Sequence, residues 1–139
     1  MSISTHLMFA GNCGEALRFY AALFGGDLKT FSYGASPMAG SVPSDWGDKL
    51  LHAVLTIGED TIMGADLPAD QFQKPQGFYM VYAPSLKTDA ERAFAALADG
   101  GSVQMPLQQT FWSPAFAVLT DRFGVPWEIN CEEAASSVV

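Results

Sequence analysis

The apolar and polar positions of the chain change period several times, and each change marks an element. Residues 4–10, STHLMFA, read as a strand. Ala16, Leu17, Tyr20, Leu23 and Phe24 then recur at helical spacing, which predicts one apolar face of about three turns. Asn12 and Glu15 have the separation of a capping box in front of that face, and Gly25-Gly26 end it. DLKTFSYG predicts a strand. Residues 35–48, ASPMAGSVPSDWGD, have the Pro/Gly/Ser content of a mobile loop that is a candidate lid. KLLHAVLTIG alternates, and EDTIMGA follows it across Gly58-Glu59-Asp60 as the second strand of a hairpin.

The pattern then starts again. GFYMVYA predicts a strand. TDAERAFAALADGG predicts a helix with Thr88 and Glu91 as its capping box, and with Ala90, Ala93, Phe94, Leu97 and Ala98 as its apolar face. Strands follow at 102–106, 115–120 and 125–131. FYAALFGG near residue 19 and FAALADGG near residue 94 make the repeat visible, at an offset of about 74 residues. The chain of 139 residues therefore reads as one α+β domain, 1–139, of two tandem βαβββ modules. Module one covers about 1–66, a linker about 66–76 and module two about 77–132, with a short tail at 133–139. Each four-stranded sheet buries one face under its helix, and twist curves the other. Placed edge to edge, the sheets form one cupped mixed sheet with helices on the outer face, and the cup suits a small ligand. Exposed sheet edges predict a homodimer.

Charge and composition narrow the function. With 15 acids against 7 bases the net charge is −8, which repels a phosphate backbone and sets nucleic acid aside. Hydrophobic residues make up 49 %, enough for a core without staples. No apolar run has the length of a membrane span, and MSISTHLMFAGN lacks the basic and apolar regions of a signal peptide. Cys13 and Cys131 have no metal-type spacing. The expectation is a cytoplasmic protein with both thiols free. No P-loop, G-x-G-x-x-G or G-x-S-x-G occurs.

Four stretches carry a resemblance: FAGNCGEALRFYAALFGG, KLLHAVLTIGEDTIMGAD, PQGFYMVY and MPLQQTFWSPAFAVLTDRFGVPWEINCE. With them the chain resembles the vicinal oxygen chelate superfamily, which includes glyoxalase I, extradiol dioxygenases and the bleomycin- and fosfomycin-resistance proteins, and within it the PhnB-like branch. The resemblance covers nearly the whole chain and implies the cupped fold. Some relatives of the branch are labelled methyltransferases, but no Gly-rich strand–helix turn for a methyl-donor nucleotide is present. The superfamily's enzymes hold a metal by His, Glu, Gln or Tyr side chains on the first and last strands of each module, pointing into the cup. Matched residue by residue, the resemblance implies Thr5, Met63 or a neighbour, Phe78 and Glu128 at these places, with His6 turned to the opposite face. Only Glu128 is a donor of the right kind. The expectation is no metal and no other cofactor, a divalent metal being the disfavoured alternative.

Two polar residues are candidate acid–base groups. Glu128 lies in the apolar run VPWEIN, where a carboxylate needs a partner, a ligand or a proton. His52 lies in LLHAVLTI; if Leu51, Ala53, Leu55 and Ile57 pack under the helix, His52 faces the cup. Phe111 and Trp112 are candidate walls of the pocket, Trp127 belongs to the helix side, and Arg122 reads as a turn residue paired with Asp121. The ligand-binding set is thus Thr5, His52, Met63, Phe78, Phe111, Trp112 and Glu128. The reading is a dimer that binds a small molecule without the usual metal. The alternatives are an isomerase, lyase or dioxygenase using a metal or His52 and Glu128, and a non-catalytic structural or regulatory dimer.

Overall fold

Where the first strand hands over to the first helix, the chain is held by a carboxylate from the far end of the module. The structure, a computed structural model, describes residues 1–132 and falls into two units, Met1–Gln73 and Lys74–Val139. The tail expected at 133–139 lies outside the described residues.

In the first unit β1 (Thr5–Phe9) leads to α1 (Cys13–Phe24), followed by β2 (Asp27–Ser32), β3 (Leu50–Ile57) and β4 (Asp60–Asp66). The sheet order is β1-β4-β3-β2, with β1 parallel to β4 and the other pairs antiparallel. Leu7, Phe9, Ala53, Leu55 and Ile62 are buried with Ala16, Leu17 and Tyr20 of α1. Gly64 lies on the same face, where a Cβ would meet the Cys13 sulfur at 3.0 Å. The expected capping box does not form, as the Asn12 side chain makes no cap bond. Asp66 takes its place. Its Oδ1 accepts the N–H groups of Gly11 and Cys13 at 3.0 and 2.9 Å, and its Oδ2 accepts that of Leu50 at 2.9 Å. Composition assigns Asp66 to the linker, yet it ties strand, helix start and hairpin together.

The second unit repeats the order: β5 (Met80–Tyr82), α2 (Lys87–Ala98), β6 (Ser102–Gln108), β7 (Phe116–Thr120) and β8 (Pro126–Asn130), with sheet order β5-β8-β7-β6. Ala90, Ala93 and Leu97 of α2 are buried, as are Ala117, Leu119, Trp127 and Ile129 of the sheet. The Thr88–Glu91 box is also absent; the Leu86 carbonyl accepts the N–H groups of Asp89 and Ala90 instead. Strand β6 is an exposed edge carrying Pro106 and two register shifts, features that discourage further strand pairing.

The glycine pairs after the helices have a divided task. Gly25 and Gly100 take φ values of 73° and 74°, which a side chain resists. Gly26 and Gly101 then pass against the carbonyls of Thr56 and Thr120, leaving no room for a Cβ. The loop expected at 35–48 contains two 3-10 turns, Ala39–Ser41 and Ser44–Trp46. Its ends are zipped by hydrogen bonds from Gly34 N to Gly47 O and from Tyr33 N to Lys49 O, with the Tyr33 and Trp46 rings edge to face at 5.8 Å.

Candidate functional site

Alternation along each strand assigns the face away from the helix. In the first unit Leu7 and Phe9 are buried, so His6 and Met8 point the other way, and Thr5 shares the helix face with Leu7. This reverses the expected register of β1. STHLMFA has apolar residues on both faces at its end, so its pattern does not fix the register; packing of Leu7 and Phe9 under α1 does. His52 alternates with the buried Ala53 and lies on the open face, as its pattern predicts. Met63 pairs with His6 and with Val54 on that face.

The open face of the first unit thus carries a row of rings. The imidazoles of His6 and His52 stack at 5.6 Å with 18° between planes, and Phe31 stacks on His52 at 6.2 Å. His6 on β1 and His52 on β3 flank β4, so their rings meet across that strand. Partial burial, and then the charge of His52, hold His6 below the usual histidine value of 6.5. The ring nitrogens of such a pair are hydrogen-bonding groups for ligand oxygens.

In the second unit Glu128 is half-buried on the open face. Its sheet neighbours are Val81 of β5 and Val118 of β7. Among the described residues no hydrogen-bond donor or cation reaches its carboxylate. The position beside it on the first strand is Val81, not Phe78. Phe78 precedes β5, because the uniformly apolar GFYMVYA forms only a short strand from Met80. Trp127, next to Glu128, is buried on the other face, as expected.

Phe111 and Trp112 sit on a built turn. Thr110 N donates to Ser113 O at 2.9 Å and Ser113 N to Thr110 Oγ1 at 3.1 Å. Trp112 packs edge to face on Phe111 at 4.8 Å and on Phe116 at 5.1 Å, and Phe116 alternates onto the Glu128 face. Phe111 is 97 % exposed, so it walls no pocket within this unit. Phe78 does line one, a cleft of about 380 Å³ that also involves Lys74, Gln76, Tyr79, Gln104 and Thr120.

Two buried carboxylates in turn-like stretches hold the backbone around the sheets. Asp66 is described above. Asp121 accepts the N–H groups of Phe123 and Val125 and the Trp127 indole, and the Arg122 guanidinium lies 4.5 Å from the Phe123 ring centre. Both thiols are free and buried, and burial together with the Asp66 charge pushes Cys13 up to about 12, so it is no nucleophile.

Comparison with known proteins accords with this geometry. The model of the Glyoxalase/Bleomycin resistance protein/Dioxygenase superfamily matches residues 2–129. Protein YjdN of Escherichia coli (strain K12) is 34 % identical over 139 residues, spanning 94 % of this chain and 95 % of that one. The crystal structure of protein PA1353 from Pseudomonas aeruginosa superposes with a TM-score of 0.86 at 42 % identity, covering 94 % of this chain and 97 % of the other. The PhnB protein from Bacillus cereus gives 0.80 at 25 % identity, covering 94 % and 99 %.

Proposed function

The chain belongs to the Glyoxalase/Bleomycin resistance protein/Dioxygenase superfamily, and from that premise we propose that it binds a small oxygenated molecule on the open sheet face of its second unit without a resident metal. The observation that carries the reading is Glu128. A half-buried carboxylate between two valines, with no partner among the described residues, sits at a free-energy cost to the fold. A ligand hydroxyl, amine or amide N–H would offset that cost. The first unit, taken by itself, offers a different set of hydrogen-bonding groups, the His6–His52 pair beside Phe31 and Met63.

The donor set supports the metal-free part. The places on first and last strands hold His6 and Met63 in one unit, and Val81 and Glu128 in the other. Each unit thus offers one donor that a divalent ion accepts, an imidazole in the first and a carboxylate in the second; a thioether is a poor donor for an ion that prefers oxygen and nitrogen, and valine offers none. Catalytic sites normally take about three protein ligands, so neither unit's pair fits a resident metal. The protein is a homodimer in this reading, because exposed Phe31, Val81, Val103 and Trp112 are apolar surface a second copy would cover. The buried free thiols favour the cytoplasm.

A second reading is an enzyme of the same fold, with His52 and Glu128 in acid–base roles or a metal held in a changed geometry. The observation in its favour is His6, which the register places on the open face. Metal content by mass spectrometry, on untagged protein before and after incubation with Mn, Fe, Ni, Co and Zn, separates the two. The metal-free reading expects none above background, together with thermal-shift hits from a small-molecule library that are lost in Glu128→Gln. About one metal per subunit, lost in Glu128→Ala, overturns it.

A further inference from the structure

We propose that the second unit carries a separate cleft for a small planar monocarboxylate, built by residues 74–79 against the end of its sheet. The cleft of about 380 Å³ is lined by Lys74, Phe78, Tyr79, Gln104, Thr120 and Pro126, with Gln76 and Gly77 between them. That volume falls within the range of small-molecule sites. The lining contains one cation and no acid, in a chain whose net charge is −8. Among the described residues no carboxylate reaches the Lys74 ammonium. A single ammonium balances a single negative charge.

Two aromatic rings complete the chemistry. Phe78 and Tyr79 are 40 % and 48 % exposed, though rings of this size normally bury most of their surface. They give a planar ligand faces to pack against. The polar wall is already set: Thr120 Oγ1 donates to Gln104 Oε1 at 3.4 Å, and Gln104 Nε2 donates to Ser102 Oγ at 3.1 Å. Gly77 turns the wall at φ 84°, a conformation that side chains resist. Thr120 pairs with Pro126, two residues along each strand from the Val118–Glu128 pair, so the cleft adjoins Glu128 but excludes it from its lining. The carboxylate of the ligand belongs at Lys74, away from Glu128, because like charges repel.

The test uses amide NMR on the full chain, with benzoate as probe and benzamide as its neutral counterpart. Benzoate is expected to shift the amides of Gly77, Phe78 and Tyr79 saturably, and to bind roughly tenfold tighter than benzamide, the value of one charge-assisted hydrogen bond. Lys74→Gln, in an exposed segment, is expected to bring the two probes to parity while the rest of the spectrum stays unchanged. Equal binding of both probes to the unmodified protein overturns the proposal, as does the absence of saturable shifts. Shifts centred on Val118 and Glu128 overturn the cleft but leave the open-face reading standing.

Discussion

The carboxylate of Asp121 and the indole of Trp127 are joined by a buried hydrogen bond of 3.0 Å, and the other oxygen of Asp121 holds the N–H groups of Phe123 and Val125. One side chain therefore fixes the β7–β8 turn and the ring beside Glu128. Asp121→Ala strands these three donors in the core. Each costs about 1 kcal/mol or more when left unsatisfied, so the loss is expected to reach about 3 kcal/mol. Trp127→Phe removes one donor and a little volume, and is expected to cost about 1–3 kcal/mol. Urea unfolding followed by circular dichroism reads both, and a cost for Asp121→Ala below that of Trp127→Phe would contradict the assignment.

Gly101 tests the helix–strand junction. A Cβ there would collide with the Thr120 carbonyl and lie 3.0 Å from the Asp121 backbone, which cannot move aside as a flexible side chain would. Gly101→Ala is expected to destabilise by about 1–3 kcal/mol. Gly58→Ala, where no atom approaches, carries only the strain of φ 60° and is expected to cost less. Thermal unfolding of the two variants side by side gives the order.

These two cases show what the chain's letters could and could not reveal. The repeat was legible because the glycine pairs and the apolar faces of α1 and α2 are local signals with their own period. The open-face placement of His52 was legible for the same reason: LLHAVLTI alternates, and the buried Ala53 and Leu55 decide its direction. The faces of Thr5 and His6 were not, since Leu7, Met8 and Phe9 are apolar in succession and only packing selects two of them. Asp66 and Asp121 sit in linker- and turn-like stretches. Asp66 meets Gly11 across 55 positions of sequence, a contact no local pattern encodes.

His6 gives a pH prediction. Its folded value lies below 6.5, from partial burial and the neighbouring His52. As pH falls through 6.5 the unfolded chain takes up the proton first, so stability declines from there. The decline from this group is complete once pH passes below its lowered folded value. The face it shares also carries Lys29 and Asp27 on β2, by register, and no titratable group on β4. His6→Gln is expected to flatten that part of the curve between about pH 7 and pH 5, read as melting temperature. A curve parallel to that of the unmodified protein would exclude the coupling.

Cys13 gives a chemical prediction. A thiol pushed up to about 12 is protonated at any ordinary pH, and it lies buried between Asp66 and Gly64. Maleimide labelling of the native protein at pH 8 is expected to leave Cys13 unmodified, while labelling in denaturant reaches it. Peptide mass spectrometry locates the label, and rapid native labelling at Cys13 would show that the α1 start opens.

Glu128 separates a residue kept for the fold from one kept for a ligand. Were its carboxylate a structural partner, Glu128→Gln would lose a buried ion pair or hydrogen bond and cost about 1–3 kcal/mol. Its neighbours are Val81 and Val118, and no donor reaches it among the described residues. Replacing it with the isosteric amide therefore removes no contact. Glu128→Gln is expected to leave stability within about 0.5 kcal/mol or to raise it, and Glu128→Leu to raise it further by matching the valines on either side. The same variants should lose the thermal-shift response to any compound that stabilises the unmodified protein. Stability and binding then move in opposite directions at one residue, as they do where a site is retained against the interest of the fold. A marked drop in stability for Glu128→Gln, measured by urea unfolding, would return Glu128 to the scaffold and leave the open face without its central polar group.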